Sequence, residues 1–183
     1  MKTFDITTDE LRSTIPEMQV GDRVLLSGTV YTSRDAAHKE ITKLLDEGGE
    51  LPFDLNNAVI YYAGPTPGHD GCAVGSCGPT TSARMDGFAP RLYRLGLAAT
   101  IGKGERDENV IAAIRETGSV YFCAVGGAGA LIAKHITSAE EIAFPHLGCE
   151  SVKRLTVEKL PLTVAVDCRG NDIFKEAKKN FRK

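Results

Sequence analysis

Side chains that could bind and act on an anion are concentrated between Gly75 and Asp86, in the sequence GSCGPTTSARMD. Pro79 is typical of the first position of a helix, because its missing N–H needs no partner there. In such a helix Thr80 and Arg84 lie one turn apart on one face. Backbone N–H groups at Gly78 and at the helix start favour anions. The spacing predicts an anion pocket, although a capped surface helix with a salt-bridging arginine explains it equally well.

Two further cations occupy positions where the chain changes direction. Arg34 follows a predicted strand and precedes a helix for which Ser33 is the predicted N-cap. A cation at a helix N-terminus opposes the helix dipole, so it indicates an anionic partner, or a local pairing with aspartate. Lys103 lies between two glycines at a predicted strand end, where a functional and a solvent-exposed lysine are both reasonable interpretations. His38 is expected on the helix surface or in a supporting role.

The elements that must position these residues alternate between strand and helix. Apolar, β-branched runs predict strands, and stripes of period 3.6 predict helices. The glycine-rich stretch 63–78 is long for a structureless loop, which indicates a functional one. The pattern predicts a layered α/β domain spanning residues 1–183, with the site in loops at strand ends. The predicted strands are 23–31, 58–62, 97–101, 119–125, 136–144, 152–159 and 162–167.

Composition excludes several function classes. The 183 residues are 42% hydrophobic and 25% charged, with a net charge of −2, which is typical of a globular domain. Basic residues cluster at the C-terminus (175, 178, 179, 182 and 183), but no basic patch indicates nucleic-acid binding. No apolar run approaches the ~20 residues that span a membrane. The N-terminus lacks a signal-peptide core, so a cytoplasmic location is expected.

Cysteine usage argues against both a disulfide framework and a metal site. The five cysteines are odd in number and irregularly spaced. Cys72 and Cys77 form the one close pair, and their C-x4-C spacing has no second pair to complete a zinc site. Cys77 is expected to be a small core residue. No metal ligand is predicted in this chain.

These stretches resemble the β subunit, or C-terminal domain, of the class I iron–sulfur fumarate hydratase and L-tartrate dehydratase family. The resemblance runs in order from about residue 20 to residue 174. It is most specific in the Gly-Pro-Thr-Thr…Arg-Met-Asp block. The segments that carry it are 20–22, 26–28, 33–39, 62–65, 75–86 and 102–104, with weaker similarity at 126–130 and 167–171.

The resemblance implies a swivelling β/β/α domain and a hydro-lyase reaction on a dicarboxylate, malate to fumarate in the first place. It implies that Thr80 is the base and that Lys103 acts in catalysis and carboxylate binding. Arg34, Arg84 and Gly78 would bind substrate. A [4Fe-4S] cluster would be held by a partner α subunit, in an αβ heterodimer or its dimer, and the general acid would come from that partner.

Two alternatives remain open on the sequence alone. The same motif fits the β subunit of an L(+)-tartrate dehydratase, which converts tartrate to oxaloacetate, because both substrates carry two carboxylates and a departing hydroxyl. A stand-alone dicarboxylate-binding module without catalysis also fits the glycine loop and the helix start.

Overall fold

The structure, a computed structural model, describes residues 1–69 and 71–181, so that part of the predicted C-terminal basic cluster (182 and 183) lies outside it. Within these residues the strands are β1 Thr3–Thr7, β2 Arg23–Thr32, β3 Val59–Tyr61, β4 Ala99–Gly102, β5 Val120–Cys123, β6 Ile136–Ala143 and β7 Val152–Val166. The helices are α1 Thr8–Thr14, α2 Asp35–Glu47, α3 Ala89–Arg94, α4 Glu108–Thr117, α5 Gly129–Ala133 and α6 Ile173–Phe181. None of these helices has the length and apolar content needed to cross a membrane.

The sheet closes on itself. Strands β2, β3, β4 and β5 pair in parallel, in that order. Strand β7 runs antiparallel to both β5 and β2 and so joins the two ends of the parallel set. Strand β1 extends the sheet beside β2, and β6 extends it beside β7. The predicted mixed α/β class is confirmed, with helices connecting the parallel strands as such strands require.

Strand β7 differs from its prediction. The sequence predicts two strands, 152–159 and 162–167, but the structure has one strand of 15 residues. The chain passes through a bulge, where Lys159 takes a φ of 49° and the β2–β7 register shifts between Leu26 and Gly28. Two residues of β2 are passed by three residues of β7 at this point, so the extra residue lies in β7.

Two apolar clusters cover the two faces of the closed sheet. Alternate residues of β2, β3, β4, β5 and β7 build the first cluster, since side chains alternate between faces along a strand. The opposite faces pack against α2, α3 and α4 in the second. In β3, for example, Tyr61 belongs to the first cluster and Ile60 to the second. The parallel strands are thus buried on both sides, and the loops at their ends are left to form a site.

Candidate active site

The residues singled out in the sequence follow the carboxyl ends of the parallel strands. Arg34 comes two residues after β2, and Lys103 comes directly after β4. The glycine loop 126–129 follows β5. Carboxyl ends of parallel strands meet at one edge of a sheet, and this edge is the usual ligand site of α/β folds.

Thr80 lies in an extended segment between the ends of β3 and β4. Its backbone N–H donates to the Tyr62 carbonyl at 2.6 Å, and its carbonyl accepts from the Lys103 N–H at 3.2 Å. The Ser82 N–H then donates to the Lys103 carbonyl at 2.8 Å. Gly102 permits this close approach, since a Cβ there would lie 2.0 Å from the Ser82 Oγ. Thr80 and Lys103 are therefore fixed as backbone neighbours.

The predicted helix from Pro79 is wrong. Thr81 has extended backbone angles, and a short 3-10 helix begins only at Ser82 and ends at Met85. Thr80 and Arg84 are therefore not one turn apart on a helix face. Hydrogen bonds to the neighbouring strand ends already satisfy the backbone groups of this segment, so a helix would add no further hydrogen bonds.

The glycine loop 126–129 packs against the other side of this segment. The Cys77 N–H donates to the Gly129 carbonyl at 3.0 Å. A Cβ on Gly129 would lie 3.1 Å from the Gly78 backbone nitrogen, and one on Gly126 would lie 3.4 Å from the Lys103 Cδ. Small residues here allow the loop to approach Gly78 and the lysine stem closely, so the loop forms one wall of the site.

Arg34 is held at the start of α2. It occupies the N-cap position itself, so the predicted N-cap at Ser33 is wrong. Its Nη2 lies 3.4 Å from the Glu150 Oε1. Its side chain also packs closely against Gly64, which has no side chain of its own. Its Nε is buried and has no hydrogen-bond partner. A buried donor without a partner in a glycine-lined site requires an acceptor from elsewhere.

Arg84 and Asp35 join the 3-10 helix to α2. The Arg84 Nε donates to the Asp35 Oδ1 at 2.8 Å. The arginine side chain is half exposed, and the aspartate side chain is largely covered. The exposed part of the guanidinium therefore remains accessible to a ligand at the same edge as Arg34.

His38 is buried in α2, so of the two roles expected for it the surface placement is wrong, and the supporting role stays a prediction. Its Nδ1 lies 2.7 Å from the Ser33 Oγ and 3.0 Å from the Arg34 carbonyl, and its Nε2 has no partner. Among the residues that the structure describes, the buried side-chain atoms without partners belong to Arg34, Asp35 and His38 alone. Unsatisfied buried polar atoms are rare, and their concentration in one segment makes it a candidate for contact with a ligand.

Burial lowers the pKa of His38 from 6.5 to about 4, against the raising effect of the Arg34 carbonyl. Between these two pH values, His38 is therefore protonated in the unfolded chain and neutral in the native chain. Native stability should fall as the pH drops from 6.5 to 5, by about 2 kcal/mol from this residue alone. Urea unfolding at several pH values measures it. H38Q should not show this loss of stability at low pH. H146Q, a variant of the exposed His146, should still show it. An unchanged pH slope in H38Q would contradict the assignment.

Arg106 is a buried cation that no local pattern in the sequence predicts. Its Nε donates to the Asp86 Oδ1 at 2.7 Å, and both side chains are almost fully buried. The guanidinium lies over the rings of Tyr62 and Tyr121, 5.2 and 4.9 Å from their centroids. Asp86 also accepts from the Asp107 N–H at 2.8 Å. This pair ties the end of the Gly75–Asp86 motif to the loop after β4, which explains why the motif needs its aspartate.

The cysteines do not build a cluster site in the described chain. No group of three or more His, Cys, Asp or Glu side chains in residues 1–69 and 71–181 could hold a metal ion. Cys77 is fully buried, and burial raises its pKa to about 12, so that its thiol stays protonated. The prediction that Cys77 is a core residue is confirmed. The donors in these described residues do not by themselves fit an iron–sulfur cluster.

The candidate residues lie on an open edge. Thr80 is half-buried, and Lys103 and Arg84 are exposed. A cavity of about 440 Å³ lies nearby, between the loop after Gly64 and the turn before β7, and Cys149 and Lys153 are among its lining residues. None of the five predicted site residues lines it. Small-molecule sites bury most of their ligand, so this edge needs a second surface to become one.

A closed mixed α/β sheet therefore carries three cations and a hydroxyl on residues that follow its strand ends. Residues 1–177 match the family model described as Fumarase C-terminus. The chain belongs to this family, and the resemblance inferred from the motifs is confirmed.

The relatives fall into two kinds. The chain is 39% identical to Fumarate hydratase 2 of Leishmania major over 91% of its own length, and 36% identical to the aerobic class I fumarate hydratase of Escherichia coli over the same share. It spans 30% and 31% of those two proteins. It is also 39% identical to the putative L(+)-tartrate dehydratase subunit beta of Methanocaldococcus jannaschii, over 90% of this chain and 88% of that protein.

Proposed function

We propose that this chain is the β subunit of a hydro-lyase that reversibly dehydrates malate to fumarate. The observation that carries the proposal is the convergence of Thr80, Lys103, Arg34 and Arg84 at one strand edge of a Fumarase C-terminus domain. Three cations and one hydroxyl suit a substrate with two carboxylates and one acidic C–H bond.

In this proposal the cations bind and the hydroxyl reacts. Arg34, Arg84 and Lys103 bind the two carboxylates, and the Gly78 backbone N–H adds a neutral contact. Thr80, in its alkoxide form, takes the proton from the carbon next to a carboxylate and becomes a hydroxyl, and Lys103 and Arg84 stabilise the negative charge that develops on the substrate. A threonine hydroxyl is a poor base in water, so it needs these cations and the exclusion of water.

A partner α subunit completes the site. It would cover the open edge and supply the general acid that protonates the departing hydroxide. The [4Fe-4S] cluster would also belong to the partner, which fits the lack of a cluster site among the described residues of this chain. The relative of which this chain covers 88% is named as a subunit beta, which supports a complex of αβ type or its dimer.

The remaining expectations about architecture and location are part of the same proposal. The chain would act as one catalytic domain over residues 1–183, of the swivelling β/β/α type. Free cysteines at all five positions support a reducing compartment such as the cytoplasm.

A second candidate function is the dehydration of L(+)-tartrate to oxaloacetate. It is favoured by the Methanocaldococcus relative, which matches this chain as closely in identity as the Leishmania fumarate hydratase does. The four side chains do not discriminate the two substrates, which differ by one hydroxyl.

The deciding experiment is an anaerobic assay of this chain co-expressed with its candidate α subunit, with malate, fumarate and tartrate offered separately. A higher kcat/KM for malate and fumarate supports the first function, and a higher value for tartrate supports the second. A stable complex with an intact cluster and no turnover of any of the three would overturn both.

A further inference from the structure

Glu150 links the start of α2 to the end of a distant turn. It is the last residue of a 3-10 helix, Pro145–Glu150, that precedes β7. Its Oε2 accepts from the Ala36 N–H at 3.1 Å, and its Oε1 lies 3.4 Å from the Arg34 Nη2. One carboxylate therefore contacts both the backbone and the side chain at the beginning of the helix.

The physical need for a carboxylate at this place is clear from α2 itself. The helix has no side-chain N-cap of its own, because Arg34 occupies that position. A guanidinium beside the positive end of a helix is unfavourable, and a carboxylate is favourable there. Glu150 thus replaces the missing cap and offsets the charge of Arg34 in a single contact.

The segment that delivers Glu150 is itself anchored to β2. Gly148 kinks the 3-10 helix with a φ of 61° and a ψ of −120°. The Ser151 carbonyl accepts from the Thr32 Oγ1 at 3.3 Å, and the same Oγ1 accepts from the Lys153 N–H at 3.0 Å. Thr32 ends β2, two residues before the arginine. Glu150 is therefore held by the same strand end that carries its partner.

We propose that Glu150 is a positioning residue for Arg34 and fixes its guanidinium for a carboxylate ligand; this rests on the proposed function. The ion pair occupies Nη2 and leaves Nε buried without a partner. Only 21% of the Arg34 side chain and 24% of the Glu150 side chain are exposed, so the contact is not a freely solvated pair.

Two effects of Glu150 oppose each other. Its negative charge repels an anionic substrate, whereas its contact orients a flexible cation before the substrate arrives. The Ala36 N–H and the helix end already offset its charge, so orientation dominates. Removing Glu150 should therefore weaken substrate binding and not improve it.

The test uses the assembled complex. E150A should raise KM about tenfold and leave kcat within about threefold, as expected for lost binding that ground state and transition state share. E150Q keeps an acceptor for the Ala36 N–H and should raise KM about threefold. It also serves as the second variant if E150A does not assemble. E140A removes an exposed ion pair with Arg154 and is the matched control, with KM unchanged.

A double-mutant cycle separates positioning from general damage. The KM effect of E150A should disappear in an R34A background if it acts through the arginine. The same effect in both backgrounds, or an unchanged KM in E150A, would overturn the proposal.

Crystal structures of the wild-type and E150A complexes give a readout that does not depend on turnover. Arg34 should leave its contact with Gly64 in E150A, and an unmoved side chain would overturn the proposal. If the wild-type complex turns over none of the three acids, the proposed function fails and the structures alone decide the role of Glu150.

Discussion

Replacing Thr80 with alanine in the assembled complex is expected to lower kcat by about 10²–10⁴-fold, the usual contribution of a positioned acid–base group. KM should change little, because the cations that bind the carboxylates remain. Steady-state kinetics on malate and fumarate give both values. Exchange of the malate C–H with solvent deuterium should fall in parallel, since that exchange needs the same proton transfer.

Two variants serve as controls for Thr80. T81A alters the adjacent, exposed threonine and should stay within about twofold of wild type, as for an ordinary surface change. T80S keeps the hydroxyl and should retain more turnover than T80A. Full activity in T80A would exclude Thr80 as the base and leave the cations as binding groups only.

Removing the carboxylate of Asp86 is expected to lower the free energy of unfolding by about 3–5 kcal/mol, because it leaves the Arg106 guanidinium buried and uncompensated. The Arg106 side chain is fully covered, and its Nε depends on this carboxylate. D86A can be measured by urea unfolding against wild type.

The matched control is an exposed ion pair of similar geometry. Arg94 and Glu116 are joined at 3.0 Å, with both side chains at least half exposed. E116A should cost less than about 1 kcal/mol, as exposed pairs do. An equal loss in E116A and D86A would mean that burial does not set the value of the Asp86 contact.

The strand alternation made one part of the site predictable. Arg34 and Lys103 each follow a strand that the apolar runs locate correctly, and parallel strands bring their carboxyl ends to one edge. Their convergence therefore follows from the order of the elements. The loop 63–78 was likewise predicted as irregular, and its described residues, 63–69 and 71–78, form isolated bridges and turns without a helix or strand.

Local patterns failed where a distant partner decides the backbone. The Pro79 pattern predicts a helix, but Thr80 finds its hydrogen bonds on Tyr62 and Lys103. The sequence predicts a break between residues 159 and 162, but pairing of Leu160 and Pro161 with β2 continues β7 through it. Neither partner is visible within a short window of sequence, so tertiary contacts override the local preference.

Long-range charge pairs gave no local signal at all. Arg106 stands in the charged run Glu105–Glu108, which is typical of a solvated loop, yet it is buried against Asp86 and two tyrosine rings. Glu150 is separated from Ala36 by 114 positions. Pairs of this kind depend on how the sheet closes, and only the folded chain brings them together.

The closure of the sheet also governs the order in which the chain can fold. Strand β2 finds its antiparallel partner only in β7, with Tyr31 opposite Arg154. A ribosome adds about 5–20 residues per second, so an early-synthesised β2 waits for seconds with one edge unpaired. Such an edge is a template for pairing with other chains. The nascent chain is therefore vulnerable to misassembly between the synthesis of β2 and that of β7.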